Sequence, residues 1–151
     1  GDGQPYAELI WSKDLGYEVV ATPIMDTQVT NASARGALTA INKNSEHPEK
    51  AMEFLNLVNT DQYLRNLLNY GIEGVHWEKV DVQQEELDAA EGKPYIYDCK
   101  VKLDPEKSKD YSVPYWVQGG LFNTYVLENE PIDKWATFKE FNDTAEAILW
   151  F

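Results

Sequence analysis

The feature that most constrains the fold is a change to helical periodicity at Pro48. From this residue on, apolar side chains recur every three or four positions, which predicts an amphipathic helix. Pro48 suits the first turn of a helix, because the N–H that proline lacks would have no partner there. We expect His47 or Ser45 to cap the helix, and its apolar face to comprise Ala51, Met52, Leu55 and Val58.

A second, shorter helix should follow directly. Thr60 and Asp61 provide an N-cap signal, and Gly71 is expected to end the helix in a left-handed C-cap. The apolar positions between them are Tyr63, Leu64, Leu67 and Leu68. The pattern therefore predicts a helical hairpin, Pro48–Tyr70, with an apolar seam.

Strand patterns occur on both sides of this hairpin. The segments 17–22, 37–41 and 95–103 are β-branched or alternate between apolar and polar residues, which is typical of strands. The segment 72–80 reads as a turn that leads into a short strand, and residues 26–33 read as a polar loop.

The rest of the chain is less regular. The acidic segment 81–93 fits either a helix or a solvated loop, and residues 104–110 predict a surface turn. Helical spacing returns from Pro131 through Trp135, Phe138, Phe141 and Ala145. Together these elements predict an α/β domain in which a small mixed sheet is flanked by helices.

Composition limits the class of protein. The 151 residues fit one domain, and an apolar fraction of 43% is enough to form a core. Thirteen Lys and Arg residues face twenty-six Asp and Glu residues, giving a net charge of −13. Because this charge repels polyphosphate, we expect no nucleic-acid partner.

Signals for catalysis or metal binding are weak. His47 and His76 lie far apart, and Cys99, the only cysteine, is expected to be buried and inert. We therefore expect no metal and no cofactor. Glu73 with a second acid, Glu78 or Asp81, could form the carboxylate pair of a glycoside hydrolase, although a solvated or ion-paired role is the more ordinary reading of such acids.

The segment 111–123 mixes aromatic rings, amides and two adjacent glycines. Sugar rings have apolar C–H faces and a rim of hydroxyl groups, so a carbohydrate site combines aromatic platforms with amides and carboxylates. The alternative is a core turn in which Trp116 and Phe122 pack, and this plainer reading is the one that the sequence favours.

Two segments resemble a known family. Residues 32–41 and 47–57 are similar to the family 1 extracellular solute-binding proteins of carbohydrate ABC importers, whose helix motif P-E-K-A-x-E-F-L is matched by Pro48 to Leu55. Residues 67–77 resemble the LipO-like lipoprotein subgroup that carries the DUF3502 domain. The likeness begins near Tyr17 and is weak between Asp81 and Asp110.

The resemblance implies the C-terminal lobe of a type II periplasmic-binding-protein-like fold, which closes on its ligand about a hinge. Residues 1–151 would be a single domain and one lobe of a larger two-lobe protein. That protein would not be an enzyme. It would be lipid-anchored at the extracellular face of the membrane, bind a carbohydrate-type solute, expected to be an oligosaccharide, and present it to the ABC permease.

Six residues are the candidates for ligand contact within this family reading. We expect stacking by Tyr70 and Trp116 and hydrogen bonding by the other four, although Tyr70 could instead hold the helix end and Arg35 could pair with a surface acid. Two other functions stay open: a carbohydrate-active hydrolase and an extracellular protein-interaction module. The six candidates are Asn31, Ser33, Arg35, Tyr70, Glu73 and Trp116.

Overall fold

The computed structural model describes residues 4–35, 38–111, 113, 118–120 and 122–148. Within these ranges the helices are α1 (Ala7–Leu15), α2 (Pro48–Thr60), α3 (Gln62–Tyr70), α4 (Gln84–Ala89) and α5 (Lys134–Asp143). The strands are β1 (Gln28–Thr30), β2 (Trp77–Asp81), β3 (Cys99–Leu103) and β4 (Glu146–Ile148). Short 3-10 turns lie at Ser33–Arg35 and Lys107–Asp110.

The strands form two separate pairs. β1 runs parallel to β4, with Gln28 opposite Glu146, and β2 runs antiparallel to β3, with Trp77 opposite Leu103. On the other side of β3, the backbone of Val101 bonds to Val126 and Glu128 at 2.8 Å each. The predicted small sheet thus takes the form, in the described chain, of two two-stranded sheets beside the helices.

The helical hairpin forms where the sequence predicts it. Pro48 occupies the first turn of α2 after His47, whose side chain makes no capping bond. Asp61 caps α3 by accepting a 2.7 Å bond from the Leu64 N–H. Gly71 ends α3 with φ of 83°, but its ψ of −154° is not the left-handed helical value that the C-cap prediction implied. A Cβ at Gly71 would lie 2.5 Å from His76 Nδ1, so this close approach requires glycine.

The predicted apolar seam is wrong for α3. Its buried residues are Arg65, Asn66 and Asn69, whereas Tyr63 is 72% exposed. In α2, Val58 is buried, but Met52 is 59% exposed. The physical reason is that α3 packs against irregular backbone at residues 118–120 and 122–125, called the irregular segment below, whose carbonyl and N–H groups require polar partners.

Arg65 is the centre of this polar contact. Its fully buried guanidinium donates from Nε to Val58 O and to Asn123 Oδ1, both at 3.0 Å, and from Nη2 to Gly119 O at 2.8 Å. Burial lowers the pKa of Arg65. None of the described carboxylates forms an ion pair with it, so neutral oxygens satisfy this charge.

Two amides continue the contact along α3. Asn69 donates to Thr124 Oγ1 at 2.8 Å and accepts from Gln118 at the same distance. Asn66 accepts from the Tyr125 N–H at 2.9 Å. Each turn of the buried face therefore bonds to the same irregular segment, which α3 holds in place.

The apolar core lies between α5 and the segment that precedes it. It consists of Ala90, Val126, Ile132, Trp135 and Phe138. Trp135 donates through Nε1 to Thr124 O at 2.6 Å, so the core and the polar contact of α3 meet at Thr124. This arrangement confirms a helix in the segment predicted from Pro131 to Ala145, although α5 begins at Lys134 and ends at Asp143.

Two predicted strands are wrong. Residues 17–22 form no strand and pair with no other strand within the described chain, and Val20 is 81% exposed. Residues 38–41 form no strand either, and residue 37 lies outside the described ranges. β1 instead lies inside the predicted polar loop. The reason is that strand pairing depends on a distant partner, and β4 pairs with residues 28–30.

The third strand prediction holds in part. β3 begins at Cys99 rather than Tyr95, because Tyr95 has φ of 61° and breaks the extended run. The short strand after Gly71 is confirmed as β2, and the undecided segment 81–93 contains helix α4. Cys99 is buried, as predicted. None of the described helices has the length and apolar character needed to cross a bilayer.

We predict that Arg65→Met lowers the free energy of unfolding by about 3 kcal/mol, because it leaves several buried oxygens without a donor. Arg35→Met is the matched control: it removes the same charge from an exposed site and should change stability by less than about 0.5 kcal/mol. Urea denaturation followed by circular dichroism measures both. Equal midpoints for the two variants would contradict this role of Arg65.

Candidate functional site

A pocket of about 230 Å³ lies between α3, β2 and Tyr125. We call it the Trp77 pocket. Its lining combines aromatic rings, amides, one carboxylate and one ammonium group. The lining residues are Gln62, Tyr63, Asn66, Leu67, Gly71, Glu73, Trp77, Lys79 and Tyr125.

Local structure fixes the aromatic wall. Trp77, the first residue of β2, is buried and donates through Nε1 to Gly71 O at 2.9 Å. Its ring centroid lies 6.2 Å from the rings of Tyr70 and of Tyr125. Because the end of α3 and the neighbouring aromatic rings both restrain the indole, the pocket has a pre-formed apolar side.

Gln62 is the unusual polar group of the pocket. Its Oε1 accepts a 3.3 Å bond from the Tyr125 hydroxyl. Its Nε2 is buried and has no hydrogen-bond partner among residues 4–35, 38–111, 113, 118–120 and 122–148. A buried donor without a partner costs about 1–3 kcal/mol, and native structures contain few of them.

Tyr125 remains protonated over the ordinary pH range. Burial and then the neighbouring Cys99 raise the pKa of its phenol to about 12, with smaller contributions from Asp98 and Glu73. Burial also raises the pKa of the Cys99 thiol, which accounts for its predicted inertness. The Tyr125 hydroxyl therefore stays a donor, and it directs Oε1 of Gln62 toward itself.

Glu73 and Lys79 form the rim of the pocket. Their charged atoms are 3.6 Å apart, and both side chains are nearly half exposed. Lys79 Nζ also lies 5.8 Å from the centroid of the Tyr125 ring. An exposed pair of this length contributes little to stability, so both groups are available to a ligand.

The structure separates the six sequence-predicted candidates. Glu73 lines the Trp77 pocket, and Tyr70 lies behind its wall, where its hydroxyl donates to Tyr125 O at 2.7 Å. Asn31, Ser33 and Arg35 are exposed near β1, and none of them lines this pocket. Ser33 Oγ accepts from the Thr30 N–H at 3.2 Å. Trp116 lies outside the described residues.

Sequence reasoning missed most of the pocket. Gln62 and Asn66 are four residues apart in α3, and Trp77 and Lys79 are two apart in β2, so each pair shares one face of its element. From these spacings the sequence could have predicted that each pair of side chains lies on one surface. Tyr125 offered none, because it follows an irregular segment and reaches the pocket through tertiary contacts alone.

A larger groove of about 570 Å³ lies elsewhere, beside Ile132 and α4. Most of its charged groups already have partners: Lys93 pairs with Asp133, Lys100 with Glu86, and Glu130 with Lys134, each at 2.6 Å. The cavity volume therefore favours this groove as the ligand site, whereas the chemistry of the lining favours the Trp77 pocket. We assign the candidate site to the Trp77 pocket, because its lining combines aromatic rings with amide, carboxylate and ammonium groups.

The comparison with known proteins gives matches in sequence and in structure. No protein-family model matches the chain. A carbohydrate ABC transporter substrate-binding protein of Streptococcus pneumoniae serotype 4 (strain TIGR4) is 33% identical over 87 residues, which are 58% of this chain and 18% of that protein. The crystal structure of the N-glycan transport solute binding protein NgtS from Streptococcus pneumoniae matches 94% of this chain and 28% of its own, with 27% identity and a TM-score of 0.71.

A second crystal structure of NgtS, in complex with Man5GlcNAc, matches 69% of this chain with 31% identity and a TM-score of 0.50. That alignment covers 20% of the NgtS chain. The chain thus spans between 18% and 28% of the length of these proteins. The matches confirm the predicted α/β class, because the fold of this chain is similar to part of a solute-binding protein, with small sheets flanked by helices.

We predict that Tyr125 is among the last tyrosines to ionise. At about pH 11 its phenol should still be mostly protonated, so Tyr125→Phe should leave the absorbance rise at 295 nm unchanged up to that pH. Because the folded pKa lies near 12, above the ordinary 10.0, the unfolded state loses this proton first as pH rises. Stability should therefore fall between about pH 10 and 12, and less steeply in Tyr125→Phe.

Proposed function

We propose that this chain is the C-terminal lobe of a larger solute-binding protein of a carbohydrate ABC importer. In this proposal the protein binds an oligosaccharide between two lobes and presents it to the membrane permease. The observation that carries the proposal is the match of 94% of the chain to a solute-binding protein at a TM-score of 0.71. The 33% identity to a carbohydrate transport protein agrees with it.

The chemistry of the Trp77 pocket supports a sugar ligand. Trp77 and Tyr125 supply apolar ring surface, and Asn66, Gln62 and Glu73 supply the amides and carboxylate that hydroxyl groups require. Sugars combine apolar faces with a polar rim, so they match such a lining better than a purely apolar or purely charged solute does.

The size of the pocket supports the one-lobe reading. Complete ligand sites commonly enclose about 300–1,000 Å³. The Trp77 pocket holds about 230 Å³, which suits one sugar unit or one substituent rather than an oligosaccharide. The rest of the binding surface would come from the second lobe and from other loops of this one, with Asn31, Ser33 and Arg35 as hydrogen-bonding contacts and Tyr70 and Trp116 as stacking contacts.

The remaining parts of the proposal rest on the resemblance of the sequence. Residues 67–77 support the LipO-like, DUF3502 subgroup, and with it an extracellular location and a lipid anchor on the full-length protein. The net charge of −13 agrees with a partner other than nucleic acid.

The pocket favours binding over hydrolysis. A glycoside hydrolase needs two carboxyl groups about 5–10 Å apart. Glu73 is the one carboxylate among the described residues that line the Trp77 pocket, and its charged neighbour there is Lys79. The matched proteins are likewise transport proteins.

We predict that the natural full-length protein binds oligosaccharides, with Man5GlcNAc as the first probe, and that Tyr63→Ala weakens binding about tenfold. Tyr63 lines the pocket and is 72% exposed, so its loss removes ring surface without unfolding the lobe. Tyr17→Ala, at a 63% exposed tyrosine outside the pocket, is the matched control and should bind normally. Isothermal titration calorimetry measures all three proteins.

Two results would oppose the proposal. If calorimetry shows that the full-length protein binds none of a broad panel of glycans, the result would favour the protein-interaction module. Turnover of chromogenic glycosides that disappears in Glu73→Gln would show a hydrolase instead.

A further inference from the structure

We infer that His76 is a pH-sensitive positioning residue for the Trp77 pocket; this inference rests on the proposed function and adds a regulation of its site. His76 Nδ1 accepts a 2.9 Å hydrogen bond from the Ile72 N–H. A ring nitrogen of histidine accepts a hydrogen bond only while it carries no proton. The neutral imidazole therefore holds the pocket in its binding geometry, and the protonated imidazole releases it.

The bond to His76 is made by the residue between two that line the pocket. Ile72 lies between Gly71 and Glu73, and both of these belong to the lining. Gly71 O accepts the 2.9 Å bond from the indole Nε1 of Trp77, and Glu73 carries the carboxylate of the rim. A change in the backbone at Ile72 therefore alters the support of the indole and the position of the carboxylate together.

The half-buried imidazole packs closely against this turn. A Cβ at Gly71 would lie 2.5 Å from Nδ1 and 2.9 Å from Cγ of His76. The His76 N–H bonds to Ile72 O at 2.9 Å, and the ring centroid of Tyr111 lies 5.6 Å from that of the imidazole. Tyr111 is itself held by the end of α3, because its hydroxyl donates to Leu68 O at 2.7 Å. A proton on Nδ1 thus meets the Ile72 N–H at short range, and an attraction becomes a repulsion.

Asp104 provides a partner for the protonated imidazole. It follows β3 and donates its N–H to His76 O at 2.9 Å. Hydrogen bonds from the N–H groups of Lys107 and Glu106 lower the pKa of its carboxyl, and the charge of His76 contributes less. Asp104 is therefore charged over about pH 5 to 8, the range in which histidine side chains titrate, and it attracts the protonated ring.

The remaining titratable groups around the turn are a phenol, an ion pair and a guanidinium. Burial raises the pKa of the Tyr111 phenol, so this group stays protonated. Glu73 is paired with Lys79 at 3.6 Å, and Arg65, the charged residue of α3, lies on the buried face of that helix. Histidine is the type of side chain among them that gains a proton as the pH falls from about 8 to 5.

The test measures the binding of Man5GlcNAc to the natural full-length protein by calorimetry at about pH 7.5 and about pH 5.5, on either side of the ordinary titration of histidine. This glycan carries no ionisable group, so a change of affinity with pH comes from the protein. We expect about fivefold weaker binding at the lower pH, which is the effect of losing one partly exposed hydrogen bond.

The variant His76→Asn separates the position of the acceptor from its titration. The Oδ1 of asparagine lies as many bonds from the backbone as the Nδ1 of histidine, so it accepts from the Ile72 N–H and takes up no proton. Affinity in His76→Asn should equal that of the wild type at the higher pH and should not fall at the lower one. His76→Leu has no acceptor and should bind about fivefold more weakly at both pH values.

His47→Asn is the matched control. His47 is the other histidine of the chain, lies exposed before α2, and makes no capping bond through its side chain. This variant should keep the full pH dependence of the wild type. Melting temperatures at both pH values verify that each variant is folded.

Each outcome decides the inference. Equal affinity of the wild type at the two pH values, or the same loss at low pH in His76→Asn, would overturn it and leave the proposed function standing. If His76→Asn does not fold, the pH profile of His76→Leu decides instead: a flat profile supports the inference, and a fall like that of the wild type overturns it. If the full-length protein binds no glycan at either pH, the proposed function and this inference are both wrong.

Discussion

The buried guanidinium of Arg65 is the interaction on which the arrangement of the described chain depends. It bonds to the end of α2, through Val58 O, and to the irregular segment, through Asn123 and Gly119. Helical hairpin and segment are therefore held in one geometry by a group that cannot lose its charge in water. The packing is close enough that a Cβ at Gly120 would lie 3.3 Å from Arg65 Nη2 and 2.5 Å from Asn59 Oδ1.

The Trp77 pocket is a consequence of that geometry. Asn66, one residue after Arg65, accepts a hydrogen bond from the N–H of Tyr125. This bond fixes the backbone position of Tyr125 at the end of the irregular segment. Tyr125 then reaches Gln62 and faces Trp77. The site is thus built on a helix and a strand whose side chains are restrained from behind, which is the condition for a pre-organised binding surface.

The elements that the sequence predicts correctly are those with local signals. Pro48, Asp61 and Gly71 mark the helix ends because caps and breakers act within a few residues. The seam of α3 was predicted wrongly because Leu64 and Leu67 suggest an apolar partner, whereas the actual partner is irregular backbone. Of the pocket, Glu73 alone was chosen from the sequence; Gln62 and Tyr125 meet through tertiary contacts that no spacing in the chain reveals.

The pairing of β1 with β4 imposes an order on folding. Gln28 lies opposite Glu146, so the partner of β1 is made after almost all the elements described above. Until β4 has been synthesised, the backbone N–H and C=O groups of β1 have no partner strand. An unpaired strand edge of this kind can pair with strands of other chains. β1 is only three residues long, and two of them are Gln28 and Thr30. Because β1 is short and carries polar side chains, its unpaired edge is a poor template for aggregation.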